Sequence, residues 1–161
     1  MTMRRVWFDS AFKADGTSAL EPEPANCRRV VLLVEDNEVV LRNTGAILAR
    51  LGHIPVATPC GEKAIQCLEA GLTPDLVILD LNMPGLGGVG TLPRLRALNP
   101  SVPVILVTAW VDDVARDLAG AHPQVSLLAK PFSLKQLGSH LDQLDRKGLP
   151  ASEQACASGW E

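Results

Sequence analysis

Residues 76–85 read Leu-Val-Ile-Leu-Asp-Leu-Asn-Met-Pro-Gly. An unbroken apolar run of this kind suits a strand buried on both faces of a sheet, and the residues after it are turn formers. Such a strand delivers Asp80 to its carboxyl end. Four further apolar runs surround it in sequence: Val30 to Val34, Ile54 to Thr58, Val104 to Val107 and Val125 to Ala129. Segments with helical spacing lie between them. Val40, Thr44, Ile47, Leu48 and Leu51 form one apolar stripe, and Leu134, Leu137, Leu141 and Leu144 form another. Repeated strand-then-helix units with short loops predict an α/β fold, a doubly wound five-stranded parallel sheet with five helices. Sheets of this type take ligands outside the carboxyl ends of their strands, where the strand order reverses.

The residues expected at those ends are polar. The first strand runs into Glu35-Asp36, the third into Asp80, the fourth into Thr108 and the fifth into Lys130-Pro131. Carboxylates gathered in one crevice repel one another unless a cation lies between them. An incomplete set of hard oxygen ligands suits Mg²⁺, which keeps several waters and binds through a few carboxylates and phosphate oxygens. Asp80 then has the setting of a nucleophile toward a phosphoryl group, with Lys130 as the neutralising cation and Thr108 as a hydroxyl donor.

Glu35-Asp36, Asp80 with Asn82-Met83-Pro84-Gly85, Thr108-Ala109 and Lys130-Pro131-Phe132 together resemble the signature of the response-regulator receiver domain. The spacings of 44 residues from Asp36 to Asp80, 28 to Thr108 and 22 to Lys130 agree with it. The resemblance implies a flavodoxin-like strand order of 2-1-3-4-5. It also implies Mg²⁺ held by Glu35, Asp36, Asp80 and the backbone carbonyl of Asn82, with Thr108 and Lys130 gripping the phosphoryl oxygens and Asp80 as phosphoacceptor. A cis Lys130–Pro131 peptide follows from the resemblance alone. The implied partner is a histidine kinase or a histidine phosphotransfer protein. The implied role is a phosphoacceptor signalling domain of a two-component or phosphorelay system, which at most catalyses its own phosphorylation and dephosphorylation and signals by protein contact. Phosphorylation would draw Thr108 inward and shift the surface of the fourth helix, fifth strand and fifth helix.

One position departs from the pattern. Receivers usually carry Tyr or Phe three residues before the lysine, whereas this chain has Leu127, which offers no ring for the aromatic switch. The stretch Val125 to Phe132 is similar to receivers of hybrid histidine kinases, which often lack that ring. Two residues bear on phosphoryl lifetime: Asn82, able to orient a water, and Trp110, wide enough either to cover the phosphoryl group or to face solvent as a docking ring. On balance the wide ring is expected to prevail and the acyl phosphate to be long-lived.

Other readings fit less well. A Glu-Asp pair alone is more often a solvated turn or helix cap. A haloacid-dehalogenase-like phosphatase also uses an aspartyl phosphate, but it needs a second aspartate where Asn82 stands, and its acidic pair comes after the nucleophile. A flavin-binding module needs a phosphate-cradling loop after the first strand, which is missing. His53, His122 and His140 are scattered and receive no catalytic role. The leucines of the last helix read as core, since so short a repeat makes no independent coiled coil.

The 161-residue chain carries a formal charge of −3. Neither that balance nor any basic run suits direct binding to nucleic acid. Four cysteines without metal-ligand spacing read as reduced thiols of a cytoplasmic protein. No segment has the roughly 20 apolar residues of a membrane span. The stretch Glu21-Pro22-Glu23-Pro24 marks a linker, so the expected division is a flexible N-terminal extension at 1–27, a receiver domain at 28–147 and a flexible C-terminal tail at 148–161. Val6-Trp7-Phe8 and Phe12 form a small aromatic cluster before the linker. The few residues after Arg146 predict no further output domain.

Overall fold

The computed structural model describes residues 28–146, so the extensions expected at 1–27 and 148–161, with the aromatic cluster at 6–12, lie outside the described residues. The chain alternates β1 (Val30–Val34), α1 (Glu38–Arg50), β2 (Ile54–Thr58), α2 (Gly61–Glu69), β3 (Leu76–Asp80), α3 (Gly87–Leu98), β4 (Val104–Thr108), α4 (Asp113–Ala121), β5 (Val125–Ala129) and α5 (Leu134–Arg146). The strands form one parallel sheet in the order β2-β1-β3-β4-β5, as the resemblance implied.

Alternation along the strands builds two apolar layers. Leu32, Val34, Val77, Leu79, Val104 and Leu106 point to one face and meet Ala64 and Ile65 of α2, Leu92 and Leu95 of α3 and the half-buried Leu118 of α4. Val31, Leu33, Leu76, Ile78, Ile105 and Val107 point to the other and meet Leu48 of α1 and Leu137, Leu141 and Leu144 of α5. Each fully buried leucine contributes roughly 2 kcal/mol. Burial on both faces holds for β1, β3 and β4 but not for the edge strands: Ile54 of β2 is exposed and β5 is only half-buried until its exposed last residue, Ala129.

Local chemistry fixes the helix starts. Asn37, rather than Glu35 or Asp36, caps α1, its side-chain oxygen accepting from the N–H groups of Val39 and Val40. Asp112 caps α4 through Ala115 N–H. Ser133 and Gln136 cap α5 reciprocally, Ser133 Oγ accepting from Gln136 N–H and Gln136 Oε1 from Ser133 N–H.

At the end of the sheet opposite the carboxyl edge, His53 is buried and its Nδ1 accepts a hydrogen bond from Arg29 N–H at 3.4 Å, a contact the sequence reading did not anticipate. Burial, and then the Arg29 charge, push this imidazole below its usual range. The folded state therefore binds fewer protons here than the unfolded state, so stability is intact well above the unfolded value and falls as pH drops through about 6.5. Urea unfolding between pH 8 and 5 should show this loss, at no more than about 1.4 kcal/mol per pH unit from this group. In His53→Gln the slope should flatten; an unchanged slope would assign the dependence elsewhere.

Candidate functional site

Between β1 and β3 the chain order reverses, and the carboxyl ends there gather the expected acids. Glu35 follows β1 and Asp80 ends β3; both are 4% exposed, while Asp36 is exposed. One oxygen from each of Glu35, Asp36 and Asp80 lies within 4.8 Å of the others. Lys130, just past β5, reaches back so that Nζ donates to Asp80 Oδ2 at 2.8 Å and to Glu35 Oε2 at 2.5 Å. The Lys130–Pro131 peptide is cis.

The electrostatics follow from burial set against pairing. Burial raises the Glu35 carboxyl above its usual value, opposed by the hydrogen bonds from Lys130 and from Asn37 N–H. Burial pulls the Lys130 ammonium down, but its bonds to Asp80 and Glu35 outweigh that and raise it overall. Lys130 is therefore a cation throughout the neutral range. The pairing of Lys130 with Glu35 was not expected from sequence, which assigned Glu35 to metal alone.

Thr108 ends β4 at 2% exposure and does not touch Asp80 through any hydrogen bond among the described residues. Its hydroxyl donates to Trp110 carbonyl at 2.9 Å and accepts from Asn82 Nδ2 at 3.0 Å and Trp110 N–H at 3.2 Å. Asn82 N–H donates to Asp80 Oδ1 at 3.0 Å. Asn82 thus links the two strand ends, a role for its amide that the sequence reading did not contain. Trp110 is 78% exposed, its ring turned to solvent rather than folded over the carboxylates. Leu127 packs half-buried on the layer with Leu106 and Leu118.

Backbone packing sets Asp80's position. Gly88, in the first turn of α3, lies so near β3 that a Cβ there would be 2.3 Å from Asp80 carbonyl oxygen and 2.6 Å from Leu81 Cα. A glycine lets α3 press on the strand end that carries the carboxylate.

The three carboxylates fit Mg²⁺: they are hard oxygen donors in an incomplete set, clustered closely enough to share one ion, and Lys130 already spans two of them as a positive charge. Among the described residues neither His nor Cys, the donors zinc favours, joins the cluster.

A family model for the response regulator receiver domain matches residues 31–142. The chain is 32% identical over 120 residues to the two-component response regulator PhoP of Pseudomonas aeruginosa, covering 73% of this chain and 52% of that protein. It is 34% identical over 119 residues to the sensor kinase CckA of Brucella abortus, covering 73% of this chain and 12% of that one. The chain thus spans about half the length of the first of these relatives, and far less of the second. Among solved structures, the receiver domain of a Pseudomonas aeruginosa sensor histidine kinase, with a magnesium ion coordinated in its active site cleft, superposes with a TM-score of 0.66 at 28% identity, covering 73% of this chain and 98% of that one.

Proposed function

The chain belongs to the response regulator receiver domain family, and on that footing we propose that Asp80 is its phosphoacceptor, taking a phosphoryl group from a histidine kinase or a histidine phosphotransfer protein. As a receiver it is a signalling domain of two-component systems. The observation that carries the Asp80 reading is its environment: a buried carboxylate at the strand-order reversal, held by Lys130 on one oxygen and Asn82 N–H on the other.

Glu35, Asp36, Asp80 and the Asn82 carbonyl would hold Mg²⁺, which when bound supplies charge neutralisation to the phosphoryl oxygens. Asp80 supplies the nucleophilic oxygen. An oxygen–phosphorus bond forms as the phosphorus–nitrogen bond to the donor imidazole breaks, and the imidazole leaves with the electron pair. Lys130 neutralises the carboxylate and then the added charge. The Thr108 hydroxyl has one proton, now given to Trp110 carbonyl; to donate to a phosphoryl oxygen it must release that carbonyl, which loosens the start of the β4–α4 loop. This exchange couples phosphorylation to the surface of α4, β5 and α5, with a coupling of about 1 to 3 kcal/mol. Leu127 has no hydroxyl to take part, so the change there is one of packing.

Incubation with acetyl phosphate and Mg²⁺, followed by intact-mass measurement, tests the reading: one added phosphoryl group is expected. The same experiment separates a phosphatase, which would turn the donor over without retaining a label. No helix among the described residues is long and apolar enough to cross a membrane.

The ring position revises the expected phosphoryl lifetime. With Trp110 in solvent, docking to a partner is favoured over shielding. Trp110→Ala should leave acyl phosphate decay within about twofold while weakening binding to the phosphodonor protein by about tenfold, the cost of a roughly 1.4 kcal/mol contact. Decay accelerated well beyond twofold would restore the shielding role.

A further inference from the structure

Glu62 lies in the first turn of α2, 24 residues before Leu86, yet its Oε1 accepts a hydrogen bond from Leu86 N–H at 2.9 Å. Leu86 is the N-cap of α3 and makes no side-chain cap hydrogen bond of its own. The carboxylate of α2 therefore stands in for the missing cap, at the end of α3 where a negative charge is favoured. Hydrogen bonds from its own backbone N–H and from Leu86 N–H hold this carboxyl below its usual range, consistent with a charged acceptor.

Two glycines make the contact possible. A Cβ on Gly61 would lie 1.9 Å from Thr91 Oγ1, so only a residue without a side chain lets the start of α2 press on α3. A Cβ on Gly85, whose φ is +74°, would lie 2.8 Å from Glu62 Oε1. Between Asp80 and Leu86 runs a short loop fixed at three places: Asn82 N–H on Asp80, the buried Met83 side chain in the core, and Leu86 N–H on Glu62. Asn82, on that loop, is the residue that ties Asp80 to Thr108.

We propose that Glu62 is a positioning residue for phosphoryl transfer, clamping the 81–86 loop so that Asn82 is held against Asp80 and Thr108. This rests on the reading of Asp80 as phosphoacceptor. Among the described residues Glu62 makes no hydrogen bond to Asp80, Thr108 or Lys130. It acts through the loop, and it joins α2 to the site.

The test compares wild type, Glu62→Ala and Glu62→Gln in the full chain. Amide hydrogen exchange at Leu86 and Asn82 is read without Mg²⁺ or donor, and the initial rate of labelling by acetyl phosphate with Mg²⁺ is read separately. In Glu62→Ala both amides should exchange faster and labelling should slow by about three- to tenfold, the range for loss of one such hydrogen bond. Glu62→Gln keeps an acceptor oxygen and should restore both to within about twofold of wild type. The inference is overturned if Glu62→Ala labels at the wild-type rate, if its Leu86 amide is equally protected, if Glu62→Gln is as impaired as Glu62→Ala, or if urea unfolding shows the slow variant to be partly unfolded at the assay temperature. Failure of wild type to take any label defeats the Asp80 reading and with it the inference, even if exchange at Leu86 confirms the clamp.

Discussion

Asp80→Asn is expected to yield a folded protein that takes up no phosphoryl group. An amide oxygen still accepts from Asn82 N–H, so the loop contact persists. Lys130 keeps Glu35 as a charged partner. What is lost is the anionic oxygen that attacks phosphorus, and an amide offers no usable substitute. The cluster of Glu35, Asp36, Asp80 and Lys130 goes from net −2 to net −1, which relieves repulsion in the absence of metal. Stability without Mg²⁺ should therefore be unchanged or higher, by up to about 1 kcal/mol. Intact mass after acetyl phosphate treatment, together with urea unfolding, checks both parts. A variant that still labels places the acceptor on another residue, and a variant that does not fold means Asp80 is held for structure.

Lys130→Ala should affect both chemistry and stability. Loss of the preorganised cation should slow labelling by about 10²- to 10³-fold, the cost found when a donor to developing charge is removed. It also leaves Glu35 and Asp80 facing each other with side chains only 5% exposed. Removing one partner of a fully buried pair costs about 3 to 5 kcal/mol. Lys130 retains 19% side-chain exposure, and solvent reduces the penalty to about 2 kcal/mol. The pH sign follows from Glu35, whose carboxyl is already raised by burial and rises further without the ammonium. A raised carboxyl binds a proton more readily folded than unfolded, so the variant stays closest to wild type below the ordinary carboxylate value, and its deficit opens as pH rises through the folded value. Mg²⁺ should narrow the deficit at neutral pH by binding only the folded state. Urea unfolding of both proteins in EDTA and in Mg²⁺ measures this; equal stabilities throughout would show that Lys130 does not hold the carboxylates together.

The sequence made the central sheet legible because strands buried on both faces leave continuous apolar runs, and Asp80 was placed by the run Leu76 to Leu79 in front of it. Glu35, Thr108 and Lys130 were legible for the same reason, each being the first polar residue after an apolar run, with Asp36 directly behind Glu35. Edge exposure was not, since Ile54 and Val125 read in sequence like the buried strands do. α3 left a poor signal: Gly87, Gly88, Gly90 and Pro93 interrupt its helical pattern, and two of those positions answer to contacts rather than propensity, Gly88 against β3 and Gly90 against Leu86. The Ser133 and Gln136 cap was readable from its spacing and was missed. The Glu62 to Leu86 bond had no sequence signal, because it depends on how closely α2 and α3 pack. Trp110 illustrates the same limit: its width was evident, but the direction of its ring is set by the β4–α4 loop, where Thr108 holds its backbone.

Chemical mapping of the label identifies the acceptor residue itself. Wild-type protein treated with acetyl phosphate and Mg²⁺ is reduced with borohydride, which converts an aspartyl phosphate to homoserine, and its peptides are then sequenced by mass spectrometry. Asp80 as acceptor predicts homoserine at position 80 and no modification at Glu35, Asp36 or any other carboxylate. Homoserine elsewhere with Asp80 intact, or a label that survives reduction as a phosphate ester on Thr108, would contradict it.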